Sequence, residues 1–368
     1  MRRDLGKKIW IYTTLIIAVG LIALYSASFE NVRVSRQVFY DQLICAALGL
    51  VLMFILERVD YRRFYDVAYV FYIINVLLLI FLLISGRHIL GARRWIEIAG
   101  INFQPSELSK LALILMLSRF FSNRHPTLSF NFVSRSQALF RDLIFPFLLT
   151  CLSMVFIYKQ PDLGTAILLF GIFLVIVFVS GIDLKPFFGF IGICLAVMPF
   201  AWHFLKPYQK DRLLVFLNPN IDPLGAGYTI IQSKIAVGSG QIFGKGWLAG
   251  TQNQLNFLPE RHTDFIFSVL GEEWGFVGAM VLVFLYFCLI RVCLKVTEQV
   301  KDNFGTYVAM GVVSILTFQV VINIGMVIGL FPIVGITLPL VSYGRTSFLI
   351  FIIMIGFMLN LSKRRTIF

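Results

Sequence analysis

The segment LPERHTDFIF, residues 258–267, places charged side chains directly before an apolar run. Asp264 lies where a membrane-spanning helix is predicted to begin, and Glu260 lies four residues earlier, on the same face only if the helix already runs there. A carboxylate that is half-screened from water at this point could accept a proton from a hydroxyl group, as a general base does. The alternative is that Thr263 and Asp264 cap the helix. Position alone leaves both interpretations open.

A second ionisable pair lies in FQPSELSK, residues 103–110. Pro105 fits the first position of a helix, and Glu107 falls in the first turn, where the helix dipole favours an acid. Glu107 and Lys110 are spaced i,i+3, so they share a face and can pair. Ionisable groups at the entrance to a membrane helix usually face a polar cavity and mark a site. A structural ion pair that clamps two helices is the equal alternative.

Two further stretches contribute polar groups. Asp162, in KQPDLGTA at 159–166, sits in a short connection between two apolar segments, where a turn or N-cap role is favoured. The run NIGMVIGLFPIVGITLPLVSYGRTSF, residues 323–348, is interrupted by prolines and glycines. Irregular backbone at membrane depth survives only where protein or a water-filled cavity surrounds it. We therefore expect a cavity-lining or re-entrant segment with Ser342, Tyr343 and Arg345 at its polar end, and an ordinary apolar loop is the alternative.

These residues are embedded in a very apolar chain. Of its 368 residues, 58% are hydrophobic and only 14% are charged, whereas soluble domains carry about 25% charged residues. The composition excludes a soluble domain and predicts an all-α polytopic integral membrane protein. Ten apolar segments are long enough to span a bilayer, at 9–28, 39–57, 65–84, 105–121, 142–158, 163–181, 185–205, 265–290, 306–330 and 346–361.

The distribution of basic residues predicts the orientation of these segments. An even number of spans puts both termini on one side, and both termini are basic. The positive-inside rule therefore places the termini in the cytoplasm. The short loops on the same side are basic as well, through Arg58, Arg62, Arg63, Arg119, Arg124, Arg135, Arg141, Arg291, Lys295 and Lys301. About twenty apolar residues follow MRRDLGKK, which is typical of a first membrane helix rather than of a signal peptide.

Residues 206–264 form the one large loop, predicted to be extracytoplasmic between the seventh and eighth helices of a single membrane domain over 1–368. The loop shows no obvious helix or strand, and loops of this length are usually functional or disordered. Its apolar and aromatic content argues against disorder, so we expect it to pack onto the helices. Its cations are compatible with a solvated loop or with an anion-binding surface.

The cysteines and histidines show no pattern of a disulfide framework or of a metal site. All five cysteines lie in or at the ends of apolar segments, and the four histidines are scattered. Small core side chains are the expected role of such cysteines. The spacing of these residues therefore argues against a catalytic metalloenzyme.

The motifs together resemble the SEDS family (shape, elongation, division and sporulation proteins) over nearly the whole chain. The resemblance is carried by GARRW, FQPSELSK, KQPDLGTA, YQKDRLLVFLNPNIDPLGAGY, QSKIAVGSGQIFGKGWLAGTQNQLNFLPERHTDFIFSVLGEEWGFVG and NIGMVIGLFPIVGITLPLVSYG. The stretch GTQNQLNFLPERHTDFIFSVLGEE is closer to the elongation-type members than to the division-type members. The last motif departs from the family pattern GIPLPFxSYGGSS at Thr337, Leu340 and Arg345, and Arg345 would be strained where a glycine has φ > 0.

The resemblance implies a peptidoglycan glycosyltransferase that polymerises lipid II at the outer face of the cytoplasmic membrane during elongation. It implies lipid II and undecaprenyl-pyrophosphate-linked glycan as the molecules bound. It implies a class B penicillin-binding protein and other elongation-complex membrane proteins as partners, and it implies no nucleic acid. The essential acid of the family falls on Asp264, and the membrane-embedded Glu and Lys fall on Glu107 and Lys110. Such a reaction needs cations for the leaving pyrophosphate.

The residues expected to bind substrate or to support Asp264 are Glu107, Lys110, Arg94, Asp162, Arg212, Lys234, Glu260, Arg261, His262, Thr263 and Ser342. The pyrophosphate candidates among them are Arg94, Lys110, Arg212, Lys234 and Arg261, with or without a divalent Mg or Mn ion. Two other functions use the same features. A flippase for lipid-linked precursors would use the same cavity, although no internal repeat is visible. A non-catalytic scaffold for the penicillin-binding protein would not need Asp264.

Overall fold

The computed structural model describes residues 2–29, 34–85, 87–89, 92–98, 101–123, 140–225 and 227–363. The predicted basic residues Arg124, Arg135, Arg364 and Arg365, and Gly91 of the GARRW motif, lie outside these ranges. The helices in the described part are α1 (Arg2–Ala27), α2 (Val34–Leu56), α3 (Arg62–Ser85), α4 (Pro105–Ser122), α5 (Phe145–Lys159), α6 (Leu163–Val179), α7 (Leu184–Ala201), α8 (Pro207–Leu217), α9 (Tyr228–Ser239), α10 (Thr251–Gln254), α11 (Ile266–Thr297), α12 (Asn303–Ile328) and α13 (Arg345–Lys363).

Each of the ten predicted apolar segments corresponds to a helix, namely α1 to α7 and α11 to α13. Seven described helices are long and apolar enough to cross a membrane: α1, α2, α3, α5 with the π-helical turn before it, α11, α12 and α13. The helices α6 and α7 are apolar but shorter, and α4 carries Glu107, Lys110 and Arg119 within its 18 residues. The prediction of a polytopic helical membrane protein is confirmed.

Contacts of α1 show which segments meet at each end of the helix bundle. At one end, Lys363 of α13 pairs with Glu57 after α2 at 2.6 Å, and Gly6 of α1 lies against Ser362 of α13. At the other end, Gly20 of α1 packs against the backbone of Val341, in the irregular segment that follows α12. The start of α1 and the end of α13 therefore lie together, at the end of the bundle opposite the irregular segment.

The connection between α3 and α4, predicted as a loop, contains a small antiparallel sheet. Its strands are β1 (Arg87–Ile89), β2 (Ala92–Ile98) and β3 (Ile101–Phe103), in the order β1-β2-β3. Ile96 pairs with Phe103 and Glu97 with Asn102. Arg94 lies on the central strand, which places it beside the start of α4.

The expectation that residues 206–264 lack secondary structure was wrong, because the loop contains α8, α9 and α10. Pro207 occupies the first turn of α8, and the Lys206 amide donates to Gln209 Oε1 at 3.0 Å. In α9, Ser233 Oγ donates to Val327 O of α12 at 2.7 Å and contacts Ser268 Oγ of α11 at 2.9 Å. The prediction that this loop packs onto the helices is confirmed.

Helix α11 is interrupted at Gly275, where φ is 65° and ψ is −162°. Residues 240–246 replace the lost helical hydrogen bonds. The amides of Lys245 and Gly246 donate to the carbonyls of residues 272 and 273 at 3.0 Å, and the amides of residues 276 and 277 donate to the carbonyls of Gln241 and Ile242 at 2.8 and 3.1 Å. The loop is therefore bound to the helix by main-chain hydrogen bonds on both sides of the break.

We expect Gly275→Ala to lower the thermal unfolding midpoint of the purified protein. An alanine would have to adopt a left-handed conformation, which costs about 1–3 kcal/mol, and its methyl group would overlap the Gly244 amide. Gly192→Ala is the matched control, because Gly192 lies within α7 with no atom near the added methyl group. That change should be neutral or slightly stabilising. Equal midpoints for the two variants would contradict this account of the break.

Candidate active site

Asp264 lies in a turn that precedes α11 rather than on the helix itself. The amides of Thr263 and Phe265 donate to Glu260 O at 3.2 and 3.3 Å, and Glu260 has a left-handed φ of 50°. Because α11 begins at Ile266, Glu260 and Asp264 do not share a helical face. The N-cap residue is Phe265, and it receives no side-chain cap hydrogen bond. The helix-cap interpretation of Thr263 and Asp264 therefore has no support.

The backbone of this turn is held by side chains from two other segments. Asn323 Nδ2 of α12 donates to Asp264 O at 2.9 Å and to Ile336 O at 2.7 Å. Ser342 Oγ donates to Thr263 O at 2.5 Å and accepts from the Leu338 amide at 2.8 Å. Sequence reasoning missed Asn323, although a polar amide inside an apolar membrane segment itself indicates a buried polar site.

The surroundings of Asp264 raise the pKa of its carboxyl to about 6. Burial is the main cause, and the negative charge of Glu260 adds to it. Arg212 and the hydroxyl of Thr263 act in the opposite direction, and Asp162 raises the pKa further. The structure thus brings Glu260, Asp162 and Arg212 within electrostatic range of Asp264.

Asp162 is the N-cap of α6, as the sequence favoured. Its Oδ1 accepts from the Thr165 amide at 3.1 Å, and its Oδ2 accepts from Ser106 Oγ at 3.2 Å and from Gln104 Nε2 at 3.4 Å. The carboxylate is buried and links the starts of α4 and α6. Asp162 therefore positions the connection between α5 and α6, which lies within electrostatic range of Asp264.

Two predicted cations lie together near this connection. Arg94 Nε donates to Gln160 O at 2.8 Å, and its Nη2 donates to Pro161 O. Arg212 is exposed and donates to Ile333 O at 3.2 Å. Both guanidinium groups lower the pKa of Tyr208, whose pKa is raised above its ordinary value mainly by burial. The Tyr208 hydroxyl donates to Pro161 O at 3.4 Å, the carbonyl that Arg94 also binds, and the Arg212 guanidinium lies 5.9 Å from the centre of the Tyr208 ring. Tyr208 therefore lies close to both arginines, and sequence reasoning missed it.

The structure does not support a pyrophosphate contact for Arg261 or Lys234. The Arg261 side chain is buried, and it donates to Ala27 O at 3.0 Å and to Asn253 O at 2.6 Å. It therefore holds the end of α1 against the turn at 253. The Lys234 side chain lies over Gly329, the left-handed C-cap of α12, where a cation is favoured by the helix dipole.

Glu107 and Lys110 form a buried ion pair, with Nζ and Oε1 2.7 Å apart and side chains that are 8% and 1% exposed. Lys110 Nζ also donates to Gln319 Oε1 of α12 at 3.2 Å, and Gln319 Nε2 donates to Thr337 O at 3.0 Å. Of the two interpretations of this pair, the clamp between α4, α12 and the irregular segment is the one that the contacts support. Thr337, a departure from the family pattern, takes part in it and also contacts Ser347 Oγ at 3.1 Å.

His262 and Arg345 complete the predicted set. Burial and the neighbouring Arg261 lower the pKa of His262 to about 4, so its ring is neutral at neutral pH. Its backbone carbonyl accepts from the Tyr343 amide at 2.9 Å. Arg345 begins α13 and pairs with Asp41 of α2 at 2.5 Å. The expected strain at Arg345 is absent, and the left-handed residue of this turn is Leu340, with φ 65°.

A divalent ion beside Asp264 is not favoured by the side chains around it. Donors occupy both oxygens of Asp162. Among the residues described, no group of three or more His, Cys, Asp or Glu side chains could hold a metal ion. The arrangement instead consists of one half-buried carboxylate, held through its backbone, and two arginines with a tyrosine close to both. Such a set can remove a proton and stabilise a leaving anion.

Comparisons with known proteins identify the family of this chain. Residues 7–367 match the family model FtsW/RodA/SpoVE, described as "Cell cycle protein". The chain is 39% identical to peptidoglycan glycosyltransferase MrdB of Escherichia coli K12 over 96% of this chain and 93% of that one. It is 32% identical to peptidoglycan glycosyltransferase RodA of Treponema pallidum over 95% of each chain.

Two solved structures share the fold. A chain of a peptidoglycan synthase complex that coordinates polymerization and crosslinking is 32% identical, with a TM-score of 0.78 and 96% of both chains covered. Rod shape determining protein RodA of Thermus thermophilus is 29% identical, with a TM-score of 0.70 and 97% and 96% of the chains covered. This multi-pass membrane protein therefore belongs to the FtsW/RodA/SpoVE family, the SEDS family whose motifs the sequence contains, and it is of the RodA type.

Proposed function

We propose that the protein is an inverting peptidoglycan glycosyltransferase that polymerises lipid II during cell elongation. The observation that carries this proposal is Asp264, a half-buried carboxyl whose pKa of about 6 suits a base near neutral pH. The relatives that cover nearly the whole chain bear the name of this activity. The substrate has its sugar at the membrane interface and its lipid in the bilayer, so the base has to lie at the mouth of a membrane helix.

In the proposed reaction, Asp264 accepts the proton of the 4-hydroxyl of the acceptor's GlcNAc. The hydroxyl oxygen forms a bond to the anomeric carbon of the donor's MurNAc, and the bond from that carbon to the pyrophosphate breaks. Attack from the face opposite the leaving group inverts the anomeric carbon. The pyrophosphate leaves with the bonding electrons, and fixed positive charge at this point stabilises the transition state.

Arg212 is the cation best placed to stabilise the pyrophosphate. It is exposed, it acts on the Asp264 carboxyl electrostatically, and one guanidinium nitrogen holds the irregular segment at Ile333 O. Two guanidinium nitrogens of Arg94 donate to the carbonyls of residues 160 and 161. Arg94 therefore positions the connection that carries Asp162 and adds positive charge near it. The Tyr208 hydroxyl near them donates to Pro161 O at 3.4 Å and so helps to fix the same connection. A Mg or Mn ion stays a prediction, and none of these steps depends on it.

The proposed partner is a class B penicillin-binding protein, with other elongation-complex membrane proteins around it. Support comes from the solved synthase complex, in which a chain of the same fold takes part in coordinated polymerization and crosslinking. The proposed location is the cytoplasmic membrane, with Asp264 at the outer face. This orientation follows from the basic termini and from the position of Asp264 at the opposite end of the bundle.

Asp264→Asn should reduce the polymerisation of fluorescent lipid II by at least about 100-fold, because the amide cannot accept the proton. Glycan ladders would be compared for wild type and variant, each purified with the cognate penicillin-binding protein whose transpeptidase is blocked. Asp183→Asn is the matched control, since Asp183 is exposed between α6 and α7. Ladders of equal length from both variants would remove Asp264 from the mechanism. No ladders from a well-folded wild-type complex would favour the flippase or the scaffold.

The pH dependence of polymerisation tests the same carboxyl. A base with a raised pKa is active when ionised, so kcat/KM should be constant above about pH 6 and fall about tenfold per pH unit below it. Glu260→Gln removes a negative neighbour and should move this limb to lower pH. Arg212→Gln removes a positive neighbour and should move it to higher pH, in addition to slowing the reaction. If neither change moves the acidic fall in kcat/KM, that fall reports the ionisation of another group.

A further inference from the structure

Two concave spaces lie along α3, at the end of the bundle opposite Asp264. The first, a polar hollow of about 710 Å³ at the turn from α2 to α3, is lined in part by Arg58, Asp60, Arg62, Arg63 and Asp66. The second, an apolar groove of about 440 Å³ between α3, α4 and α5, has walls that include Tyr69, Ile73, Leu77, Phe120 and Leu149. Neither space shares a residue with the Asp264 site.

The hollow and the groove follow one another along the same side of α3. Arg62 and Asp66 line the hollow, and Tyr69, Ile73 and Leu77 line the groove. Successive members of this set are three or four residues apart, so their side chains share one face of the helix. A molecule with one end in the hollow can therefore lie in the groove with its other end.

The groove opens towards the lipid bilayer. Helix α3 is long and apolar enough to cross a membrane, and its groove residues Ile73 and Leu77 are 56% and 58% exposed. The Tyr72 hydroxyl in the groove wall donates to Leu149 O and accepts from Ser153 Oγ at 3.2 Å, so the protein already satisfies it. At roughly 30 Å³ for each methylene, about the share of one water molecule in the liquid, the groove has room for about 15 methylenes.

The hollow lies where the start of α1 and the end of α13 meet. Glu57, the residue before Arg58, pairs with Lys363 of α13 at 2.6 Å. In the orientation proposed above, this end of the bundle faces the cytoplasm, and anionic lipids give the cytoplasmic leaflet its negative surface potential. The choice of leaflet rests on that orientation, whereas binding to the hollow and the groove does not.

Arg119 of α4 lies at the junction of the two spaces. Its Nη1 donates to the backbone carbonyl of Asp66 at 2.7 Å, and its guanidinium lies 4.5 Å from the centre of the Tyr69 ring. Asp66 lines the hollow and Tyr69 lines the groove. Among the described residues, no carboxylate pairs with Arg119. An anionic group placed at this junction would therefore supply the partner that the fold does not.

The hollow carries more positive than negative charge. Its walls contain three arginines and two aspartates, and Arg119 adds a fourth cation. Asp60 Oδ1 accepts from the Arg62 amide at 3.0 Å, so part of this carboxylate is used by the turn. The side chains of Arg58, Arg62 and Arg63 are exposed. Guanidinium groups match phosphate oxygens in geometry as well as in charge.

An anionic head and a long apolar tail are the two properties that suit the hollow and the groove together. We infer that an anionic phospholipid binds along α3, with its phosphate beside Arg62, Arg63 and Arg119 and one acyl chain in the groove. A free phosphate would leave the groove empty, and an acidic protein segment would not extend into the bilayer. The bound lipid would connect α3, α4 and α5.

The test uses the purified full-length protein after its own lipids have been removed in detergent. Native mass spectrometry would count the lipids that it retains from an equimolar mixture of phosphatidylglycerol and phosphatidylcholine. Phosphatidylglycerol should be retained at least about fivefold more strongly, since one basic side chain near the membrane surface contributes about that factor. Inorganic phosphate should not displace it, because phosphate has no chain to occupy the groove.

Arg63→Gln and Arg119→Gln should each lower the retention of phosphatidylglycerol about fivefold and leave that of phosphatidylcholine unchanged. Because Arg119 also binds the backbone of α3, the exposed Arg63 provides the variant that should not disturb the fold. Arg291→Gln is the matched control, since this exposed arginine of α11 lines neither space. It should retain both lipids as wild type does.

Ile73→Trp tests the groove separately, because it fills the groove and keeps every charge of the hollow. It should lower the retention of long-chain phosphatidylglycerol but not that of a short-chain form. Ile74→Trp is its matched control, since Ile74 is 49% exposed on the same helix and does not line the groove.

Three results would overturn the inference. The first is equal retention of the two lipids by the wild type, which would leave an acidic protein segment as the partner of the hollow. The second is a preference for phosphatidylglycerol that Arg63→Gln, Arg119→Gln and Ile73→Trp all leave unchanged, because the lipid would then bind elsewhere. The third is displacement by inorganic phosphate alone, which would mean an anion site without a lipid chain. None of these measurements requires turnover, so a failure here is distinct from a failure to polymerise lipid II.

Discussion

Polar backbone groups that are released where helices stop inside this bundle need protein partners, because lipid supplies none. The break at Gly275 is satisfied by the main chain of residues 240–246. The carbonyls around the irregular segment are satisfied by side chains, with Asn323 bonding both Asp264 O and Ile336 O. This requirement explains why the long loop between α7 and α11 packs down onto α11 and α12 instead of extending into solvent. It also explains how a turn that is not helical can hold a carboxylate rigidly.

The same requirement separates the two kinds of acid in the molecule. Glu107 pairs with Lys110 of its own helix, which in turn binds Gln319 of α12, and Asp162 caps α6 while it accepts from Ser106 of α4, so both acids stabilise the arrangement of the bundle. Asp264 is different, since the bonds that hold it go to its backbone and its carboxyl experiences burial and the charge of Glu260. A group whose ionised form is not fully stabilised retains proton affinity, which a base needs. Arg212 limits this effect without cancelling it.

Hydropathy predicted all ten apolar helices, because each must be apolar over a length set by the bilayer. The small sheet and helices α8 to α10 were missed, since short elements with mixed faces carry weak periodic signals. Within the site, Asp264, Asp162, Arg94 and Arg212 were predicted from motifs, whereas Tyr208 and Asn323 depend on contacts between segments far apart in the chain. Arg261 shows the converse case. Its place beside Asp264 in sequence suggested substrate binding, yet its side chain turns away to bond Ala27 O and Asn253 O.

The crowding of charge in PERHTDF follows from these separate partners. Arg261 is used to fix the end of α1, and its positive charge together with burial keeps His262 neutral. Thr263 is held through its carbonyl by Ser342. Glu260, in a left-handed conformation, reverses the chain and leaves its carboxylate near Asp264. Backbone and side-chain groups of one five-residue turn therefore join α1, α12 and the irregular segment, and the Asp264 carboxyl stays beside Glu260 and Thr263. A regular helix could not do this, because its side chains three and four residues apart would share a face.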